Sequence, residues 1–218
     1  RDNANLSSYP GGESVVNSIY SEFSISPIKK LNLDIGLRYQ TYSLKSDNPL
    51  HEAKKTNELS KKIGMKVNPI DQLTLSASYS EGFNAPKIQE VYIDGLHHQG
   101  DGWVIRDNFF IPNYELSHET SKTYELGSKF ESNIFNDEDL LTVGANLYWN
   151  DIQDYIYFVK IDRSVFDEEN GTTQLMNMPL AETFGREFSV SYLFDQIEFS
   201  TSFTQNRGYN KLENIYIS

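Results

Sequence analysis

Alternation of apolar and polar residues is the feature that most narrows what this chain can become. Across residues 31–40 the odd positions read Leu31, Leu33, Ile35, Leu37 and Tyr39, and the even positions read Asn32, Asp34, Gly36, Arg38 and Gln40. A helix would scatter these two sets around its circumference, whereas a strand places them on opposite faces. The pattern recurs. Val15, Ile19, Phe23 and Ile25 oppose Ser18, Tyr20, Glu22 and Ser24; Leu59, Ile63, Met65 and Val67 oppose Ser60, Lys62, Gly64 and Lys66. Leu73, Leu75, Ala77 and Tyr79 oppose Thr74, Ser76, Ser78 and Ser80, and similar runs follow at 124–130, 141–149, 188–194 and 197–203. The chain is expected to be all-β.

The connections alternate in length. Short turns are expected at 26–30, 68–72 and 195–196, with a longer one near 131–139, and long polar stretches at 44–56, 81–117 and 151–182. A soluble sandwich or up-and-down barrel has no reason to collect its long loops at one end, whereas a transmembrane β-barrel does. Tyr39, Tyr42, Tyr79, Trp149 and Phe203 fall near strand ends, as interfacial aromatic girdles require. The mean hydropathy of -0.53 and the 38% apolar content would ordinarily suggest a soluble protein. A barrel strand, however, shows lipid an apolar residue only at every second position, so a low mean is what such a wall should have. The fold expected is therefore an antiparallel, up-and-down transmembrane β-barrel, and the alternative is a soluble β-rich binding protein with one wet face.

Several function classes are disfavoured by composition. A net charge of -12 argues against sequence-independent binding to nucleic acid, which needs Lys and Arg against phosphate. With no cysteine, thiol chemistry and disulfide frameworks are excluded. No Gly-x-Ser-x-Gly elbow or phosphate-cradling glycine loop is present, so no enzyme is proposed, an outer-membrane barrel lipase or protease included. The run Asn136-Asp137-Glu138-Asp139 offers oxygen ligands but no ordered calcium-loop spacing, and a polar turn is the simpler account.

Four stretches go beyond periodicity. Phe83-Asn84-Ala85-Pro86, followed by Glu90-Val91-Tyr92 and Gly95-Leu96-His97, resembles the box and loop of TonB-dependent outer-membrane receptors for haem and haemoglobin. Pro112-Asn113-Tyr114-Glu115-Leu116 stands in the place of that family's second box, and residues 119–127 resemble the strand that re-enters the barrel. The segments 147–156 and Asn177, Ala181, Gly185-Arg186-Glu187 are similar to ones shared by TonB-dependent receptors generally, so the resemblance spans about 57–205. Asn84 stands where the family usually has Arg, and the second box lacks its second Pro. These departures leave open a receptor for a siderophore or other metal chelate.

The resemblance implies that residues 1–218 are a barrel fragment supplying roughly eight to ten strands of the C-terminal half, with the plug domain and last strands absent. It implies a Gram-negative outer-membrane receptor with no cofactor of its own. Haem, or haem from a haemoprotein, would be the transported ligand, with outer-membrane lipid around the wall and energy from the TonB complex acting on the plug. The loop between Pro86 and Pro112 is far longer than a hairpin needs and carries His97, His98, Trp103, Phe109 and Phe110, with Tyr92 nearby. An imidazole can ligate haem iron and flat apolar rings can cover the macrocycle. His97, in the family's Gly-x-His place, is the expected iron ligand, with His98, Tyr92, Trp103 and Phe109 beside it. The motif residues are Phe83, Asn84, Ala85, Pro86, Pro112, Asn113 and Leu116. His118 is expected to cap the returning strand, and His51 has no assigned role.

Overall fold

The structure, a computed structural model, describes residues 10–98, 108–136, 138–162, 171–211 and 215–217. Its elements run β1 (Gly12–Ile28), β2 (Leu31–Ser46), β3 (Lys54–Ile70), β4 (Leu73–Asn84), α1 (Ile88–Tyr92), β5 (Gly95–His98), β6 (Asn108–Ile111), β7 (Glu119–Ser132), β8 (Leu140–Asp162), β9 (Gly171–Phe194), β10 (Ile197–Asn210) and β11 (Ile215–Ile217). Nine of them form one antiparallel sheet in the order β1-β2-β3-β4-β7-β8-β9-β10-β11. This is an up-and-down transmembrane barrel wall, open between β1 and β11.

The register sorts side chains by face. One row of partners reads Phe23, Ile35, Ile63, Tyr79, Tyr124, Trp149 and Phe184 across seven strands. The neighbouring row reads Ser24, Asp34, Gly64, Ser78, Glu125, Tyr148 and Gly185. The first row faces outward and the second lines the inner face. Phe23 and Phe199 are 63% and 67% exposed. A continuous apolar face of this kind is costly in water and suits lipid. Gly185 belongs to the second row because the Tyr148 ring occupies the place its Cβ would take.

The turns at the lower rim reuse one device. Ser26-Pro27-Ile28 and Asn68-Pro69-Ile70 each precede a two-residue turn, and each lies in a register shift, between Ile25 and Ile28 and between Val67 and Ile70. Proline lacks the N–H a ladder would demand, so a bulge is where a strand tolerates it. The third turn is Asp195-Gln196, with Asp195 at φ 53°. In the fourth, between β7 and β8, the Asp139 carboxylate accepts the N–H groups of Ile134 and Phe135 and the Tyr192 hydroxyl, each at 2.8 Å. Asp137 lies outside the described residues.

Two expectations change. The stretch 151–182 is mostly strand, since β8 reaches Asp162 and β9 starts at Gly171, and 44–56 is shortened at both ends, since β2 reaches Ser46 and β3 starts at Lys54. Above the lipid a strand has no apolar face to maintain, so its alternation fades while its ladder continues. Tyr42 does not join the aromatic girdle. It pairs with Val16 and Thr56, one residue out of phase with Tyr39, and is 6% exposed on the inner face.

Candidate functional site

β3 and β4 pair from Ile70↔Leu73 only as far as Lys62↔Ser80, although both continue beyond that point. Where they part, the Glu81 carboxylate accepts the Lys61 N–H at 3.2 Å. The chain then leaves β4 and folds over the inner face at the mouth of the wall. α1 is one short turn of helix, started by the Glu90 carboxylate accepting the Lys87 N–H at 2.8 Å. It delivers Val91, Tyr92 and Ile93 into a core with Tyr42, Leu44, Phe110, Leu116 and Leu175. Each fully buried side chain of this size contributes about 1.5–3 kcal/mol relative to exposure, so this cluster anchors the loop.

The two boxes frame that core. Asn84 Nδ2 donates to Glu119 Oε2 at 2.6 Å, and Glu119 Oε1 accepts the Ile156 N–H at 2.7 Å. The residue standing where the resembled box usually has Arg thus meets a carboxylate. Phe83 and Ala85 pack against the core, and the Pro86 carbonyl accepts the Tyr42 hydroxyl. In the second box the Pro112 carbonyl accepts Gln174 Nε2 at 2.9 Å. Asn113 gives its N–H to the Val91 carbonyl at 3.0 Å and its Nδ2 to the Leu175 carbonyl at 2.8 Å, while its Oδ1 accepts the Glu115 N–H at 3.0 Å. Leu116 is 2% exposed.

Residues 112–118 therefore form a strap from β3 to β9. At one end Lys54 Nζ donates to the carbonyls of Tyr114 and Leu116, both at 2.6 Å. Burial pulls the Lys54 ammonium below its ordinary value, with Glu115 opposing. At the other end Asn177 Oδ1 accepts the Ser117 N–H at 2.8 Å, and its Nδ2 donates to the carbonyls of Ser117 and Asp154. Asp154 sits at φ 56° opposite Pro179, which has no N–H to offer it, so Asn177 serves both strap and strand.

β10 stops at Asn210, paired with Ala181, and leaves the upper edge of β9 open. β6 takes that edge in parallel, Asn108↔Gly171 to Ile111↔Gln174, and β5 adds to β6. The backbone of β5 carries His97 and His98. His98 pairs with Asn108, and His97 is the residue that the register shift skips. The side chains of His97 and His98 lie outside the described residues, as does Trp103. Phe109 is 44% exposed and Phe110 6%, on opposite faces of β6.

The structure places Tyr92 within the packing rather than beside an open cavity. It is 1% exposed and its hydroxyl donates to the Glu52 carbonyl at 2.5 Å. Burial pushes that hydroxyl up from its ordinary value, with Tyr42 and Tyr114 adding to the effect, which keeps it neutral. Sequence reasoning missed what stacks on it. The His51 ring lies 4.9 Å from Tyr92 and 4° from parallel, with Ser46 Oγ 2.9 Å from Nδ1 and Asn48 Nδ2 3.2 Å from Nε2. Nothing local in the sequence signals that contact, because it joins residues 41 positions apart. His118 sits 5.0 Å from the Phe83 ring, with Nε2 3.5 Å from Glu58 and Nδ1 3.3 Å from Thr56. It ties the returning chain to β3. Among the described residues no group of three or more His, Cys, Asp or Glu is placed to hold a metal ion, and no helix is long and apolar enough to cross a membrane.

Known proteins share this architecture. The chain is 27% identical over 191 residues to a heme/hemopexin utilization protein C of Haemophilus influenzae strain 86-028NP, covering 84% of this chain and 26% of the relative. It is 28% identical over 180 residues to a hemin receptor of Yersinia pestis, covering 81% of this chain and 25% of that one. This chain thus spans about a quarter of the length of either relative. Among solved structures, a double mutant of the Serratia marcescens hemophore receptor HasR, in complex with its hemophore HasA and heme, superposes with a TM-score of 0.73 at 19% identity over 89% of this chain and 34% of that one. The copper transporter OprC gives a TM-score of 0.73 at 16% identity over 94% and 30%, respectively. At such identities the superpositions speak for the fold alone. The family model described as "TonB dependent receptor-like, beta-barrel" matches residues 1–216, and the chain belongs to that family.

Proposed function

We propose that this chain is part of the barrel of an outer-membrane receptor that takes up haem, free or from a haemoprotein, with energy from a TonB complex acting on a plug domain. The observation that carries the reading is the placement of β5. The strand bearing His97 and His98 is held at the mouth of the wall by β6, which is itself paired to the free edge of β9. A histidine on an anchored strand at the entrance can offer a fixed lone pair to iron, whereas one on a free loop would lose entropy on binding. The printed names of the relatives, a heme/hemopexin utilization protein and a hemin receptor, support the same ligand. In this reading His97 is the axial ligand, and the strap, Asn113 and Tyr92 hold the strand in place without touching the ligand.

The test is a hemin titration of the full-length receptor in detergent, comparing wild type with His97→Ala and His98→Ala through the Soret band. A strong band weakened in His97→Ala is the expected result. A band that only His98→Ala weakens moves the ligand by one residue. No band at all in the wild type overturns the haem reading and leaves a receptor for another chelate.

A further inference from the structure

Two arginines stand on the lipid face where β9 and β10 meet. Arg186 lies between Phe184 and Phe188 and pairs with Leu147 on one side and Gln205 on the other, all of them outward. Arg207 pairs with Phe184, so it shares that face in the Trp149 row. Diagonal neighbours of this kind lie about 7–8 Å apart. Phe188, Val190, Phe199 and Phe203 fill outward positions below the pair, and Tyr209 stands above it. A cation costs about 2–4 kcal/mol at the lipid midplane and about 0–1 at the interface, so this pair belongs at headgroup level, beside Trp149.

Neighbouring outward cations meet carboxylates. Lys61 lies 4.0 Å from Glu81, and Lys211 lies 2.8 Å from Glu182 and 3.6 Å from Asp151. Among the described residues neither arginine forms such a pair. Arg186 Nε instead donates to the neutral Gln205 Oε1 at 2.9 Å, with its guanidinium carbon 5.9 Å from the centre of the Phe203 ring, and Arg207 lies beside the Tyr209 hydroxyl. Glu182, the next outward residue above Phe184, is already taken by Lys211. Like charges this close repel, and more strongly beside lipid than in water. One anion shared between them would remove the repulsion, and guanidinium forks bind phosphate bidentately. We infer that Arg186 and Arg207 form a site for the phosphate monoester of an outer-leaflet glycolipid, whose acyl chains lie along Phe188, Phe199 and Phe203. A phosphate monoester carries roughly -1.5 to -2 charges, which suits two guanidinium groups better than a phosphodiester headgroup does. The site rests on the membrane-barrel reading and is independent of the transported ligand.

The test uses the full-length receptor in detergent, with bisphosphorylated lipid A and its dephosphorylated form as probes and heat-dependent gel mobility as the readout. Lipid A should raise the temperature at which the wild type loses its compact mobility, and the dephosphorylated form should not. Arg186→Gln and Arg207→Gln should each raise the lipid A concentration needed for half of that shift by about tenfold. Without lipid, both variants should hold their mobility at least as well as wild type, since each removes a repulsion. Lys66→Gln, which removes a cation from the inner face between Asn32 and Ser76, should leave the shift unchanged. An equal lipid A response in wild type and both arginine variants would overturn the site, as would an equal response of the wild type to the dephosphorylated form. Lower stability of lipid-free Arg207→Gln would overturn it too, because the arginine would then be answering a carboxylate elsewhere in the complete barrel. A receptor that stays monodisperse without detergent would overturn the barrel reading together with the site.

Discussion

At membrane level, Phe23, Ile35 and Ile63 sit side by side on adjacent strands and are 63%, 44% and 53% exposed; at the mouth, Leu44, Val91 and Tyr92 are 0–1% exposed. The wall holds itself by backbone ladders and leaves its apolar face to lipid. The mouth holds itself as a small soluble protein does, by packing chain segments remote in sequence around a common core. Each region should therefore fail in its own way when its own kind of interaction is removed.

The largest effect is expected from Leu116→Ala. This side chain is 2% exposed in the core beneath the strap, and truncating a buried leucine costs about 2–5 kcal/mol. The loss should fall on the mouth. Limited proteolysis of the full-length receptor should cut near 112–118 far faster than in wild type, with heat-dependent gel mobility unchanged. If the gel mobility collapses together with the strap, mouth and wall are one cooperative unit and the distinction fails.

Ile35→Arg is the converse and slightly smaller change. Ile35 lies midway along the outward run of β2 between Leu31 and Tyr39, and a cation near the middle of the lipid face costs about 2–4 kcal/mol. The variant should lower the temperature at which the barrel loses its compact gel mobility, while strap proteolysis stays at the wild-type rate. Ser78→Arg is the matched control, because Ser78 is on the inner face with its hydroxyl donating to Glu125. It should change that temperature little. Equal losses in the two variants would mean that the faces have been assigned wrongly.

The same division decides what could be read from the sequence. Lipid imposes a two-residue period, so the outward rows, the Pro-Ile turns and the Asp195-Gln196 turn were legible from local pattern. Above the lipid that constraint ends, which is why 151–182 resembled a loop although β8 and β9 run through most of it. α1 has five residues, too few for a helical period to register. The parallel pairing of β6 with β9 and the stacking of His51 on Tyr92 join distant residues and leave no local mark. The boxes were visible as motifs, but their physical role was not. Asn113 and Asn177 matter because each satisfies backbone groups of two other segments, and that is a property of the assembled mouth.

The smallest and most local effect belongs to the lower rim, where the wall borrows the mouth's way of holding together. Asp139 is 1% exposed, the one carboxylate among the described residues buried this deeply. Burial pushes its carboxyl up, but the N–H groups of Ile134 and Phe135, the Tyr192 hydroxyl and a backbone bond with Asn136 outweigh that, and the balance lies below the ordinary 3.8. A carboxyl depressed on folding adds stability that is complete above its ordinary value and lost as pH falls through the lower folded one. The turn should therefore keep its protection from hydrogen exchange at neutral pH and lose it only below about pH 4, with the Asn133–Asn136 amides opening first. Asp139→Asn keeps the shape but removes the charge. Its turn should exchange faster than wild type at neutral pH and show no further opening across that acid window. If the variant opens with wild-type acid dependence, another group controls the turn, and the rim is held by its ladder as the rest of the wall is.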